Sequence, residues 1–226
     1  MNTQPSSATI ERLDYLSKNT LCVTIRMIDG FTFTPGQYIT LTLPELSAES
    51  SRENVRDFSI CSSPITLPLI SIAFRMSESK FKQHIANRKK GDEVHVAGPK
   101  GVFVLAAHGP VSIIAGGIGI TPFMSMLQTR GQLEGHPSSS IYYFHREKSH
   151  AVFSDELRSM QDIISIHEVS DKYTIGHISP AELREKDRTW YVAGPPDMVH
   201  AVLTSLTQHG VQDNRIMTED FVGYAK

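Results

Sequence analysis

A small closed β-barrel followed by a parallel α/β sheet is the architecture this sequence predicts, and three observations carry the prediction. Up to about residue 107 the chain runs in short β-branched and aromatic segments separated by Gly and Pro turns. Beyond residue 110 the pattern changes to apolar strands alternating with amphipathic helical runs, the mark of a parallel sheet with helices on both faces. The 226 residues, 40% hydrophobic and 20% charged, are enough for two small cores. The expected division is 1–107 and 108–226.

In the first part, strands are expected at Thr9–Leu16, Leu21–Ile28, Tyr38–Leu43, Arg56–Cys61, Ile70–Phe74 and Glu93–Ala97. Asp29-Gly30, Pro35-Gly36, Pro64, Pro68 and Gly91-Asp92 separate them as turns. A helix fits Ser79–Arg88, with Phe81 and Ile85 four residues apart. Six short strands leave two sheet edges, which closure into a barrel removes. In the second part, strands are expected at Val111–Ala115, Ile141–Phe144, Ile163–Val169, Thr189–Ala193 and Arg215–Glu219. Helices are expected at Pro122–Arg130, near Ser154–Gln161, after Ser179 and at Pro196–His209. Ser179-Pro180-Ala181-Glu182 reads as a helix start, with Glu182 placed to close a capping box.

Charge and composition exclude several function classes. Twenty-two Lys plus Arg against 24 Asp plus Glu leave a formal charge of −2, with no electrostatic footprint for nucleic acid or an anionic membrane. The two cysteines, Cys22 and Cys61, are too few for an iron–sulfur cluster, which takes about four. The ten histidines show no metal-ligand spacing and read as surface or turn residues, so no metal site is expected. Residues 101–129 carry no charge, but Gly109, Pro110, Gly116, Gly117, Gly119 and Pro122 break them, against a membrane span. The polar N-terminus lacks a signal-peptide pattern, so a soluble, cytoplasmic protein is expected.

Two turns point to chemistry. Gly116-Gly117-Ile118-Gly119-Ile120-Thr121-Pro122 joins an apolar strand to a helix. There glycines let the backbone approach a pyrophosphate, and the helix start offers free N–H groups. A tight strand–helix turn without ligand explains the same residues equally well. Ala193-Gly194-Pro195-Pro196-Asp197-Met198 is a second such turn at the same sheet edge, where open α/β sheets bind ligands. Helix residues Phe123, Met126, Leu127, Met198, Val202 and Leu206 read more simply as core. In the barrel half, Arg56-Asp57-Phe58-Ser59-Ile60-Cys61-Ser62 puts Arg56 and Phe58 on one strand face, Asp57 and Ser59 on the other.

Taken in order, these motifs resemble the ferredoxin–NADP reductase superfamily of flavoenzymes. Its Arg-x-Tyr/Phe-Ser-x-x-Ser signature is matched by Arg56, Phe58, Ser59 and Ser62, and its Gly-Pro-x-Gly-x-Phe turn by Gly98, Pro99, Gly101 and Phe103. The two sheet-edge turns and the ending Thr218-Glu219-Asp220-Phe221-Val222-Gly223-Tyr224 match as well. The resemblance implies a six-stranded antiparallel barrel holding FAD, then a five-stranded parallel domain binding NAD(P)H. It implies that Arg56, Asp57, Phe58, Ser59 and Ser62 line the flavin, with Ser79, Lys80 and Phe81 at its phosphates. Phe221 or Tyr224 would cover the ring, and Ser59, Glu219 and Phe221 would serve the reaction. Gly116, Gly117, Gly119, Thr121, Pro122, Arg146, Gly194, Pro195, Pro196 and Met198 would hold NAD(P)H. Two departures stand out: Ala193 replaces the Cys of plant-type members, and Phe58 replaces the commoner Tyr.

His145-Arg146 after the second parallel strand, and no Asp ending that strand, tilt the nucleotide toward NADPH. A hydride pair with no second redox centre in the chain implies a separate acceptor: a ferredoxin, a flavodoxin or an oxygenase component. Lys80, Lys82, Arg88, Lys89, Lys90 and Lys100 form either a basic rim for such a partner or a solvated face. A free-flavin reductase, or a non-catalytic module sensing flavin or pyridine nucleotide, remains as an alternative.

Overall fold

The structure is a computed structural model of the chain and describes residues 5–46, 53–129, 138–145, 151–161, 164–169 and 175–221. Among the expected site residues, Arg146 and Tyr224 lie outside the described residues. The chain divides into two compact units, Met1–Val104 with Thr121–Thr129, and Leu105–Ile120 with Arg130–Lys226.

The first unit is the barrel. Strands β1 (Ser6–Ser17), β2 (Thr20–Arg26), β3 (Tyr38–Thr42), β4 (Val55–Ser59), β5 (Leu69–Arg75) and β6 (Glu93–Lys100) pair antiparallel in the order β4-β3-β6-β1-β2-β5. A single bridge between Ile60 and Ile72 joins the two ends of that order. Alternation along each strand sends one face inward: Leu21, Val23 and Ile25 of β2, Ile39 and Leu41 of β3 and Val94 and Val96 of β6 share one core. Helix α1 (Lys80–Ala86) adds Phe81 and Ile85 to it. Cys22 and Cys61 are buried free thiols. Helix α2 (Thr121–Leu127) groups with this unit: Ser125 Oγ donates to the Ser62 carbonyl at 2.6 Å, and Phe123 meets Phe103 edge to face.

The second unit carries β7 (Val111–Gly116), β8 (Ser140–Phe144), β9 (Ser165–Val169), β10 (Thr189–Gly194) and β11 (Ile216–Asp220), all parallel, in the order β11-β10-β7-β8-β9. Among the described residues, three α-helices accompany them: α3 (Ser154–Arg158), α4 (Pro180–Arg184) and α5 (Pro196–Gln208). Helix α5 buries Met198, Val199, Val202 and Leu206 in one cluster with Ile114, Tyr142, Trp190 and Val192. Tyr143, adjacent to Tyr142 and so on the opposite face, accepts a hydrogen bond at its hydroxyl from the Val152 N–H just ahead of α3.

One local expectation changes. Ser179 caps α4 by accepting from the Ala181 N–H, but Glu182 turns beneath the sheet instead of closing a capping box. Its carboxylate accepts from Ser112, Ser140 and Tyr142 hydroxyls at 2.9, 2.8 and 3.1 Å. Arg188, 2% exposed, completes the cluster: it donates to Ser112 Oγ, to the Val111 and Ser138 carbonyls and to Glu185. Three hydroxyls and a guanidinium outweigh one terminal N–H. Burial, then the Glu182 carboxylate, push the Tyr142 phenol up to about 12, so it remains a donor. Removing Arg188 leaves buried acceptors without their cation. Arg188→Met should therefore lower unfolding free energy by about 3–5 kcal/mol in urea titrations, and adding Glu182→Gln should recover part of the loss.

Candidate functional site

In the barrel unit, the alternation of β4 places its residues as the sequence implies. Asp57 points outward and accepts from Thr40 Oγ1 at 2.5 Å, and Lys100 Nζ donates to the same hydroxyl at 2.8 Å. Arg56 lies on the other face, its guanidinium carbon 5.4 Å from the Phe81 ring centre. Phe58 is buried, with ring centres 5.1 Å from Phe74 and 6.0 Å from Phe81. It is a core residue that supports the site from behind. Ser59 is also buried, and Ser62 Oγ accepts from the Ser71 N–H at 2.9 Å, which fixes the strand end.

Helix α1 begins beside this cluster. Ser79 stands at its N-cap, and its buried Oγ has no hydrogen-bond partner among the described residues. Phe81 is fully buried and Lys80 exposed. Lys82, half-buried, donates from Nζ to the Arg75 carbonyl at 2.7 Å and stands 5.8 Å from the Phe74 ring centre. Burial first, then the neighbouring Arg56 charge, pull its ammonium pKa below the ordinary lysine range. Lys82 makes no ion pair among the described residues. Two cations and an unpartnered hydroxyl, set on an aromatic base, fit the phosphate end of a flavin nucleotide. Helical periodicity marks Lys82 as a surface position, so only the fold brings it to this corner.

Three of the other five expected rim cations are engaged locally. Arg88 pairs with Glu45, Lys90 with Glu11, and Lys100 with Thr40. These contacts favour the solvated-face reading over a preformed docking rim.

In the second unit, the turns after β7 and β10 interlock. A Cβ on Gly116 would stand 2.2 Å from Met198 Sδ, and one on Gly119 would stand 2.3 Å from the Ala193 carbonyl oxygen. The glycines at 116 and 119 are thus demanded by the chain's own packing, and Met198, fully buried, is the wedge beneath Gly116 and Gly194. Gly117 and Ile118 are half-exposed, and Pro195 and Pro196 are exposed, while Thr121 and Pro122 are buried. The surface offered to a ligand is accordingly narrower than the ten residues the sequence implies.

Glu219 on β11 lies opposite Ala193, and the Phe221 N–H donates to the Gly194 carbonyl at 2.9 Å. Glu219 Oε2 is buried with no hydrogen-bond partner among the described residues. Burial, then the adjacent Asp220 charge, raise its carboxyl pKa to about 7. His145 ends β8 and departs from the surface reading of the histidines. It is 5% exposed, neither ring nitrogen has a hydrogen-bond partner among the described residues, and Glu168 Oε2 is 3.9 Å away. The sequence signal for it was its place at the carboxyl end of a parallel strand.

Residues 113–204 match the oxidoreductase NAD-binding domain family. Flavohemoprotein A of Dictyostelium discoideum is 26% identical over 234 residues, which cover 91% of this chain and 57% of that protein. The toluate 1,2-dioxygenase electron transfer component of Pseudomonas putida is 26% identical over 235 residues, 96% of this chain and 68% of the relative. The chain thus spans between about half and two-thirds of these relatives. Among solved structures, a ferredoxin NADP+ reductase from Neisseria gonorrhoeae with bound FAD and NADP superposes with a TM-score of 0.77 at 14% identity, covering 96% of this chain and 98% of that one. The Amycolatopsis cytochrome P450 reductase gives 0.80 at 20%, covering 98% and 71%. With an antiparallel six-stranded barrel, a parallel five-stranded sheet and a matched NAD-binding domain, the chain is similar in fold to these two reductases.

Proposed function

We propose that the chain is an FAD-dependent oxidoreductase that takes hydride from NAD(P)H and passes electrons to a separate protein acceptor, a ferredoxin, flavodoxin or oxygenase component, in the cytoplasm. The observation that carries this reading is that each unit holds a buried side-chain oxygen with no hydrogen-bond partner among the described residues, Ser79 Oγ in the barrel and Glu219 Oε2 in the parallel sheet. Native proteins rarely leave such atoms unsatisfied except where a ligand completes them. Relatives that are electron transfer components of oxygenases support the choice of acceptor class.

Bound FAD would supply the hydride-accepting and electron-releasing chemistry. The chain's own work is binding and orientation. Arg56 and Lys82 neutralise the flavin phosphates, Ser79 donates to them, and the buried Phe58–Phe74–Phe81 cluster keeps that corner rigid. Ser59, at the end of the strand that carries Arg56, would hydrogen-bond the reactive edge of the flavin. The half-exposed backbone of Gly117 and Ile118 receives the dinucleotide, with Pro195 and Pro196 flanking it. Glu219 is positioned to hold or exchange a proton near neutral pH. Phe221, tied through its N–H to Gly194, would cover the ring. The preferred nucleotide is NADPH.

Anaerobic absorbance titration of the purified chain tests the reading. A flavin band that bleaches with NADPH is expected, with a higher kcat/KM than for NADH toward ferricyanide. A reducible flavin that neither nucleotide bleaches identifies a sensor. Rapid reduction of added riboflavin without retained FAD identifies a free-flavin reductase.

Glu219 generates a pH test. Its folded pKa is raised above the unfolded value, so between pH 4.5 and about 7 the folded chain binds the extra proton. Stability contributed at this residue is then lost as pH rises through that window. Glu219→Gln should flatten the decline of Tm between pH 5 and pH 8, and should remove a near-neutral limb from the pH profile of hydride transfer.

A further inference from the structure

We propose that Ser125 of α2, with Thr129 one turn further on, is a positioning residue for hydride transfer: it holds the chain just beyond Ser59 in the orientation the reaction needs. This rests on the reading that the barrel binds flavin. Strand β4 ends at Ser59, and the segment that follows is joined to the sheet by the Ile60–Ile72 bridge. Its polar groups find their partners one at a time. The Ile60 N–H donates to the Gln37 carbonyl at 3.0 Å and the Cys61 N–H to the Ser71 carbonyl at 2.8 Å. Ser62 Oγ accepts from the Ser71 N–H at 2.9 Å. The Ser62 carbonyl is held from far along the chain, by the hydroxyl of the fully buried Ser125 at 2.6 Å.

That bond, and not the helix, accounts for a serine at position 125. Helix α2 is buried along its whole length, and alanine would fill the position with better helix propensity. A hydroxyl in a helix can donate back to the carbonyl four residues earlier, as Thr129 does to Ser125 at 3.0 Å. Ser125 has one hydroxyl proton and directs it to Ser62 instead. Because the Thr129 proton is already taken, the 3.1 Å contact between Ser63 Oγ and Thr129 Oγ1 runs with Ser63 as donor. Ser63 Oγ in turn accepts from the Ile65 N–H at 3.4 Å. Two hydroxyls four residues apart thus clamp two consecutive residues of the segment that leaves β4. All four residues belong to the first unit, and α2 starts directly after the turn Gly117–Ile120. The helix that continues the glycine turn is therefore the one that sets the chain beyond Ser59. A misplaced reacting edge slows transfer steeply, whereas binding draws on contacts spread over a whole ligand and changes little.

The test compares wild type with Ser125→Ala, Thr129→Val and Met124→Leu. Met124 is fully buried in α2, so its substitution perturbs packing and leaves both hydroxyls in place. Hydrogen exchange of the chain without flavin reads the clamp through the amides of Ile60, Cys61 and Ile65. Stopped-flow absorbance of the FAD-loaded chain reads the saturating rate of flavin reduction by NADPH. The FAD dissociation constant and the NADPH concentration giving half that rate are measured alongside. In Ser125→Ala the three amides should exchange about fivefold faster. The saturating rate should fall about tenfold, with both binding parameters within about twofold of wild type. Thr129→Val should act in the same direction to a smaller degree, and Met124→Leu should do neither. Faster exchange with an unchanged saturating rate overturns the inference and leaves Ser125 a brace for the barrel. Unchanged exchange overturns it too, as does a slower rate that follows weaker FAD binding, or a Met124→Leu chain that matches Ser125→Ala. A wild-type flavin that neither NADPH nor NADH reduces overturns the oxidoreductase reading itself, and the inference with it. Should Ser125→Ala fail to fold, Thr129→Val carries the same comparison, because its side chain is only half-buried.

Discussion

Closure of the barrel through the Ile60–Ile72 bridge governs which side chains gather at the corner that carries Arg56. Without it, β4 and β5 would be open sheet edges at opposite ends of the strand order. With it, the strand bearing Arg56 and Phe58 is drawn against the strand bearing Phe74, and α1, which follows β5, brings Phe81 and Lys82 to the same corner. Backbone bonds reinforce the closure, with Cys61 N–H donating to the Ser71 carbonyl at 2.8 Å and Ser71 N–H to Ser62 Oγ at 2.9 Å. Residues far apart in sequence thus become neighbours through a short stretch of strand pairing.

That geometry explains why Phe58 replaces Tyr without loss of shape. Its ring is enclosed by two other rings, where a hydroxyl would need a buried partner. Polar groups stand at the edge of the cluster. Lys82 and Ser79 hold the available donors there.

The fold was legible because both repeating patterns are strong. Period-two alternation located the barrel strands to within a few residues, as at Tyr38–Thr42 and Leu69–Arg75, and the strand–helix rhythm located all five parallel strands. Motif spacing found Arg56 and the glycine turns because those depend on local backbone geometry. Lys82, Glu182 and His145 escaped it for one reason: each owes its environment to strands or helices distant in sequence. Glu182 fits a capping pattern locally, yet three hydroxyls from neighbouring strands claim its carboxylate. Met198 fits a ligand-contact motif, yet its thioether fills the space that two glycines leave.

The parallel sheet shows how burial of charge can serve two opposite ends. Arg188 enters β10 at its amino end, where the first residues of β7 and β8 supply hydroxyls and carbonyls and Glu182 and Glu185 supply charge. A network satisfied in this way stiffens the strands and has little capacity left for a ligand. Glu219 lies near the carboxyl end of β11, opposite Ala193, with a buried oxygen that has no hydrogen-bond partner among the described residues and its pKa raised to about 7. Parallel strands collect ligands at their carboxyl ends, where the turns open and helix starts offer donors. The same sheet therefore invests its matched charges in holding strands together at one end and keeps an unmatched one at the other. Interchanging the two would leave a frayed sheet and a saturated site, so the asymmetry is itself an argument that the carboxyl edge is where this unit works.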